Sequence, residues 1–328
     1  MIPLAIRLLW MALLVWGAWG VRRRGWVGPG FTRGLSRLTL EVFFPCLVLT
    51  QIIKTVEAGT LHTVGALGLY AAGMLGVSGW LAALVHRHRH LAVDRRSFVY
   101  CAVMPNWIFL PLAIAGPLYG DPGVALVILF NIPMQILLWT VGVAYLHHAL
   151  RGTRAFRDLV LNPGLLAALV GTGVGIFWKP DPGSAGWIES LFAIVARVGS
   201  VTVPVSLVVL GCQLEEAGEL IGRSRGGHKD VVWLRLLGAP VVAMVLLLAT
   251  ALLTGWPASH DSRMVLYLIA SMPVAVSAPV FLARYGREAG FAAQSVLRST
   301  LVSMITVPAL LLLFGSIDRL VMTWYSGQ

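Results

Sequence analysis

The chain has 328 residues, 58% of them hydrophobic and 12% charged, against roughly a quarter charged in soluble domains. A water-facing fold has no place for so much apolar surface, so the solvent for most of this chain is lipid. The net charge of +11 is spread in short clusters between apolar runs, which excludes the single basic face that nucleic acid requires.

At ~20 residues per span, the apolar runs resolve into ten: 2–21, 34–53, 61–85, 97–119, 122–146, 159–178, 188–213, 231–254, 263–284 and 289–314. The first is followed, not preceded, by Arg22, Arg23 and Arg24. It therefore lacks the charge order of a cleaved leader and is expected to stay in the mature protein. Turn chemistry separates the later runs, at Gly120-Asp121-Pro122-Gly123, Lys179-Pro180-Asp181-Pro182-Gly183 and Gly255-Trp256-Pro257. Cys46, Cys101 and Cys212 fall inside apolar runs without ligand spacing and read as small buried hydrophobes.

Direction follows from the basic loops, which stay in the cytoplasm. Every odd loop is basic: Arg22, Arg23, Arg24 and Arg33; Arg87, Arg89, Arg95 and Arg96; Arg151, Arg154 and Arg157; Arg223, Arg225 and Lys229; Arg284 and Arg287. The even loops carry only Lys54, Lys179 and Arg263 at their edges. Ten spans with basic odd loops place both termini outside the cytoplasm.

Spans four and nine share a pattern. Met104-Pro105 and Met272-Pro273 are each followed by five residues and a second proline, Pro111 and Pro279, then by Tyr119-Gly120 and Tyr285-Gly286. Pro45 and Pro204 mark a looser match between spans two and seven. Each half thus holds five spans. Five is odd, so the second half enters from the opposite face and the repeat is inverted. A mid-span proline removes a donor and clashes with the carbonyl one turn earlier. Two of them leave backbone groups that lipid cannot satisfy, so these segments are expected to be protein-buried or to line a wet cavity. The new half-helix ends then offer partial charge to a bound ion.

At these residues the chain resembles the auxin efflux carrier family, with plant PIN proteins and bacterial malonate and malate permeases among its members. The matching stretches are Leu35-Ser36-Arg37-Leu38 leading to Pro45, Met104-Pro105-Asn106 through Pro111-Leu112, Leu118-Tyr119-Gly120 and Trp139-Thr140-Val141-Gly142. Leu161-Asn162-Pro163, Pro204 through Gly211, Met272-Pro273 and Tyr285-Gly286 complete them. The resemblance implies an all-α membrane fold like that of bile-acid symporters. Its scaffold would comprise residues 1–60 and 151–220, and its transport domain 61–150 and 221–328. It further implies an elevator-type movement, a small organic anion as substrate, and a homodimer formed through the scaffold. It carries no cofactor.

Asn106 matches the family's asparagine after the crossover proline Pro105, and its amide both donates and accepts. It is expected either to hold a carboxylate or to cap the half-helix that begins near it. Val274 takes the equivalent place beside Pro273, where plant carriers commonly have asparagine, which speaks against auxin itself. Eight residues beyond Gly290 and Gly123 the repeat pairs Arg298 with Asn131. An arginine this deep in a span is costly, tends to face a cavity, and suits a carboxylate. Gln294 lies one turn earlier on the same helix, while Ser271 and Ser277 flank the second crossover and either touch substrate or satisfy broken backbone.

Glu41 is read as the one carboxylate well inside a span. It is either a carrier of a coupling proton or half of a surface pair with Arg37. Neither crossover has an acid, which argues against cation antiport or a carboxylate-built sodium site. His86, His88, His90, His147 and His148 sit at basic helix ends without partners at metal-ligand spacing. No nucleophile–base set or phosphate loop is present, so the expectation is a non-enzymatic secondary transporter in a bacterial inner membrane. Its rivals are a sodium-coupled bile-acid-type symporter and a sensor that kept the fold.

Overall fold

A computed structural model describes residues 4–55, 60–146, 161, 163–179, 186–219, 226–254 and 259–326. Its described residues are helical apart from turns, connectors and one isolated bridge. The helices are α1 (Leu4–Arg23), α2 (Pro29–Leu38), α3 (Phe44–Thr55), α4 (Thr60–His88), α5 (Arg95–Val103), α6 (Phe109–Leu137) and α7 (Val143–Leu146). They continue as α8 (Pro163–Phe177), α9 (Trp187–Ser200), α10 (Thr202–Glu219), α11 (His228–Trp233), α12 (Ala239–Thr254), α13 (His260–Ala270), α14 (Ala278–Arg284) and α15 (Ala289–Ser326). Wider π-helical turns join α2 to α3 at Thr39–Phe43, α6 to α7 at Leu138–Gly142, and α11 to α12 at Leu234–Gly238.

Six described segments are long and apolar enough to cross a membrane: Pro29–Lys54, His62–His88, Phe109–Leu146, Trp187–Glu215, His228–Thr254 and Ala289–Trp324. The chain is an integral membrane protein. Two of the ten expected runs, 97–119 and 263–284, are not continuous helices, because each is interrupted at its Met-Pro step. Phe109–Leu146 contains the end of one expected run and all of the next. Gly120 adopts φ 63° inside it, a left-handed conformation that side chains disfavour. There the chain folds back. Val124 Cγ2 lies 3.4 Å from the place of a Cβ on Gly116, although residues eight apart on a straight helix are separated by ~12 Å.

The chain divides into two compact units. One comprises Met1–Gly68, Leu112–Ala144 and Ala149–Glu215; the other comprises Leu69–Pro111, Tyr145–His148 and Glu216–Gln328. In the first, α3 is the central helix, with Val48 and Ile52 inaccessible. Gly199 of α9 meets it so closely that an added Cβ would lie 2.6 Å from the Leu47 nitrogen. Lys179 donates to the Ile53 carbonyl at 2.8 Å, closing the C-terminal end of α3.

In the second unit, α5 and α13 start on side-chain caps. Asp94 accepts from the Ser97 amide at 2.9 Å, and Ser259 accepts from the Ser262 amide at 3.1 Å. Such caps satisfy amides that have no partner within the helix. Helix α15 runs 38 residues, well beyond the expected limit of 314. That extension brings a further carboxylate, Asp318, into the helix beyond the expected limit. Asp318 is inaccessible and accepts from Arg263 Nε at 2.7 Å and Nη2 at 2.9 Å. His260 Nδ1 lies 2.7 Å from the same carboxylate. Arg263, expected at a loop edge, is itself buried.

Candidate functional site

The site is built where α5 and α13 stop. Both end because a proline follows within three residues, and the residue before proline is pushed out of helical geometry. Met104 leaves α5 with φ −80° and ψ 106°. The two extended segments then run antiparallel, with Pro105 opposite Val274. The Asn106 amide donates to the Pro273 carbonyl at 2.8 Å, and the Ala275 amide donates to the Met104 carbonyl at 3.0 Å.

This pairing explains how Pro105 is tolerated there. The two bonds flank the Pro105–Val274 pair, so residues 105 and 274 occupy a position whose own amides point away from the partner strand. Pro105 has no amide to leave unmet. The amide of Val274 does point away, and Ser299 Oγ on α15 accepts it at 3.1 Å. Pro273 supplies only an acceptor, while the Met104 amide is still used by the Tyr100 carbonyl inside α5. Pro105 thus falls where no donor is required, whereas Pro273 faces Asn106 in a hydrogen-bonded position and leaves the Asn106 carbonyl without its ladder donor.

Several expected site residues gather in this unit. Pro105, Asn106, Ser271, Pro273 and Gln294 are buried, and Ser277 is half-buried. Asn106 Nδ2 is buried and has no hydrogen-bond partner among the described residues. Ser271 Oγ donates to the Tyr267 carbonyl at 2.8 Å, so its hydroxyl serves the end of α13, one of the two roles the sequence allowed. Arg298 lies on the exposed side of α15. Asn131 and Glu41 belong to the other unit. Asn131 is buried and accepts from Gln135 Nε2 at 3.3 Å. Glu41 is exposed and forked by Arg37 Nε at 2.9 and 3.0 Å, the geometry of a surface pair.

Three contributors escape the sequence reading. Arg235, in the π-helical turn Leu234–Gly238, is inaccessible and donates to the carbonyls of Val103 and Ala270, the last residues of α5 and α13. Its signal was available as a charge inside an apolar run. Ser299 carried no signal, since a serine in a long helix resembles any other. His228 is buried beside Ser295, with Nδ1 3.1 Å from its hydroxyl, and stacks on Phe291 at 4.5 Å between ring centroids.

Residues 4–155 and 148–311 match the model described as membrane transport protein, the auxin efflux carrier family. The chain belongs to that family. It is also 24% identical over 286 residues, 87% of this chain and 89% of the other, to an uncharacterized transporter of Methanothermobacter thermautotrophicus. Membership makes this chain a membrane transport protein. The crossing of the two extended segments carries an asparagine on one strand and a valine on the other.

Proposed function

We propose that the chain is a secondary transporter of a small organic anion, a carboxylate, which binds where the two Met-Pro segments cross. The observation that carries this reading is Asn106 Nδ2, a buried donor at the crossover with no acceptor among the described residues. A buried donor left unmet costs ~1–3 kcal/mol, and a ligand that brings an acceptor recovers it. Carboxylates are acceptor-only groups. Arg298 on α15 supplies charge for the same anion, with Gln294, Ser277 and the prolines Pro105 and Pro273 shaping the walls.

The wider arrangement belongs to the same proposal. The chain crosses the inner membrane ten times as two inverted five-span repeats, with both termini outside the cytoplasm. One domain moves against the other in an elevator fashion, driven by protons or by the membrane potential, and the scaffold pairs two copies. The matched Met-Pro spacing, the alternation of basic loops and the two family-model matches, one on each half, support this reading.

The test is uptake of labelled mono- and dicarboxylates into liposomes containing the full chain. Asn106→Val, which copies the chemistry of Val274, and Arg298→Gln should each reduce binding and flux of the best substrate at least tenfold. Asn106→Val should at the same time leave the thermal midpoint unchanged or raised, because it removes an unmet donor. Unaltered flux in both variants would sink the anion assignment.

A further inference from the structure

Arg235 is, with Asp318, one of the two fully buried charges among the described residues of the crossover unit. It is inaccessible, and among the described residues no carboxylate forms an ion pair with it. Its partners are two backbone carbonyls, Val103 at 2.6 Å from Nη1 and Ala270 bonded to Nη2. These are the terminal carbonyls of α5 and α13, where each half-helix presents the negative end of its dipole. One guanidinium therefore closes both half-helices at once, and its fixed fork suits two divergent acceptors.

Carbonyls released by broken helices at this depth are the ligands with which secondary transporters hold a coupling cation. Here a protein side chain already occupies them. We infer that Arg235 is a resident cation of the crossover, supplying permanently the positive charge that a co-transported sodium ion would otherwise bring. Its Nε has no partner among the described residues, so one donor remains for an incoming acceptor. The π-helical turn gives Arg235 its reach, since an inserted residue displaces the side chain from the ordinary helical register. The site is then cationic before substrate arrives and has no vacancy for a metal ion.

The role given to substrate here rests on the anion reading above, but the charge replacement does not, and the test separates the two. Thermal unfolding of the purified full chain is followed in sodium chloride and in choline chloride, without substrate. Wild type and Arg235→Lys, which keeps a cation, should show the same midpoint in both salts. Arg235→Gln frees a carbonyl set and should melt several degrees lower in choline, with part of that loss restored by sodium. A linkage of that kind appears only if sodium binds the folded state. Sodium stabilisation of wild type would overturn the inference, as would an Arg235→Gln variant equally unstable, or equally unable to fold, in the two salts. A merely structural arginine gives that second result. Failure of carboxylate uptake with a sodium-responsive Arg235→Gln would instead reject the substrate reading alone.

Discussion

Replacing Asp318 by asparagine removes the charge shared by Arg263, His260 and the Tyr267 hydroxyl, which donates to it at 3.5 Å. The carboxylate is inaccessible and forked by Arg263 at 2.7 and 2.9 Å, with His260 Nδ1 at 2.7 Å on the same oxygen as one arm of the fork. Asparagine keeps one acceptor oxygen but turns an amide toward the second arm, leaving a buried guanidinium uncompensated. Breaking one side of such a pair costs ~3–5 kcal/mol. At about 2 °C per kcal/mol for a chain of this size, the midpoint should fall by about 6–10 °C. The assay is thermal unfolding in detergent, read by the intrinsic fluorescence of the 12 tryptophans. The double variant Arg263→Leu, Asp318→Leu removes both charges and should recover most of the loss, since a buried pair is often matched by apolar packing. A single-variant drop below about 2 °C, or a double variant as unstable as the two single losses added, would refute the argument that burial sets the magnitude.

Three further outcomes follow from the same contacts. Ser299→Ala strips the acceptor from the buried Val274 amide and should cost ~1–3 kcal/mol, visible as a lower midpoint and as faster hydrogen exchange at that amide. Glu41→Gln should change stability by less than ~1 kcal/mol, because its side chain is 50% exposed and that of Arg37 76%. It should also leave the pH dependence of flux intact; loss of pH-driven transport would instead assign the coupling proton to Glu41. Gly199→Ala should destabilise by ~1–3 kcal/mol, since the new Cβ would meet the backbone of Leu47 at 2.6 and 2.8 Å and backbone cannot step aside as a side chain does. A Gly199→Ala midpoint equal to wild type would show that α3 and α9 do not meet as described.

The membrane class, the places where helices form and the interruption at both Met-Pro steps were legible in the chain itself. Apolar run length and proline chemistry are local properties, and they act whatever surrounds them. Pro105 and Pro273 stand in extended segments, as expected of residues that disfavour a helix interior, although Pro133 and Pro308 stay inside α6 and α15; Gly120 marks the reversal where Asp-Pro-Gly follows. The candidate site was legible only in part. Asn106 stood out because it follows Pro105, and its unmet Nδ2 gives that choice a physical reason. Ser271 had two readings, and its bond to Tyr267 favours the backbone one. Glu41 drew attention as an acid in an apolar run, but the π-helical turn Thr39–Phe43 leaves it exposed beside Arg37.

What the sequence determined alone was therefore the solvent, the helices and the two breaks, each a consequence of residues adjacent in the chain. The tertiary structure decided which polar groups meet across long separations: Arg235 with carbonyls 132 and 35 positions away, Ser299 with an amide 25 away, and Asp318 with Arg263 55 away. In an apolar interior a polar group must find a partner wherever packing puts one, and hydrophobic periodicity does not record where that is. The crossover, announced by four prolines, is held by an arginine, a serine and a set of carbonyls that only the folded chain brings together.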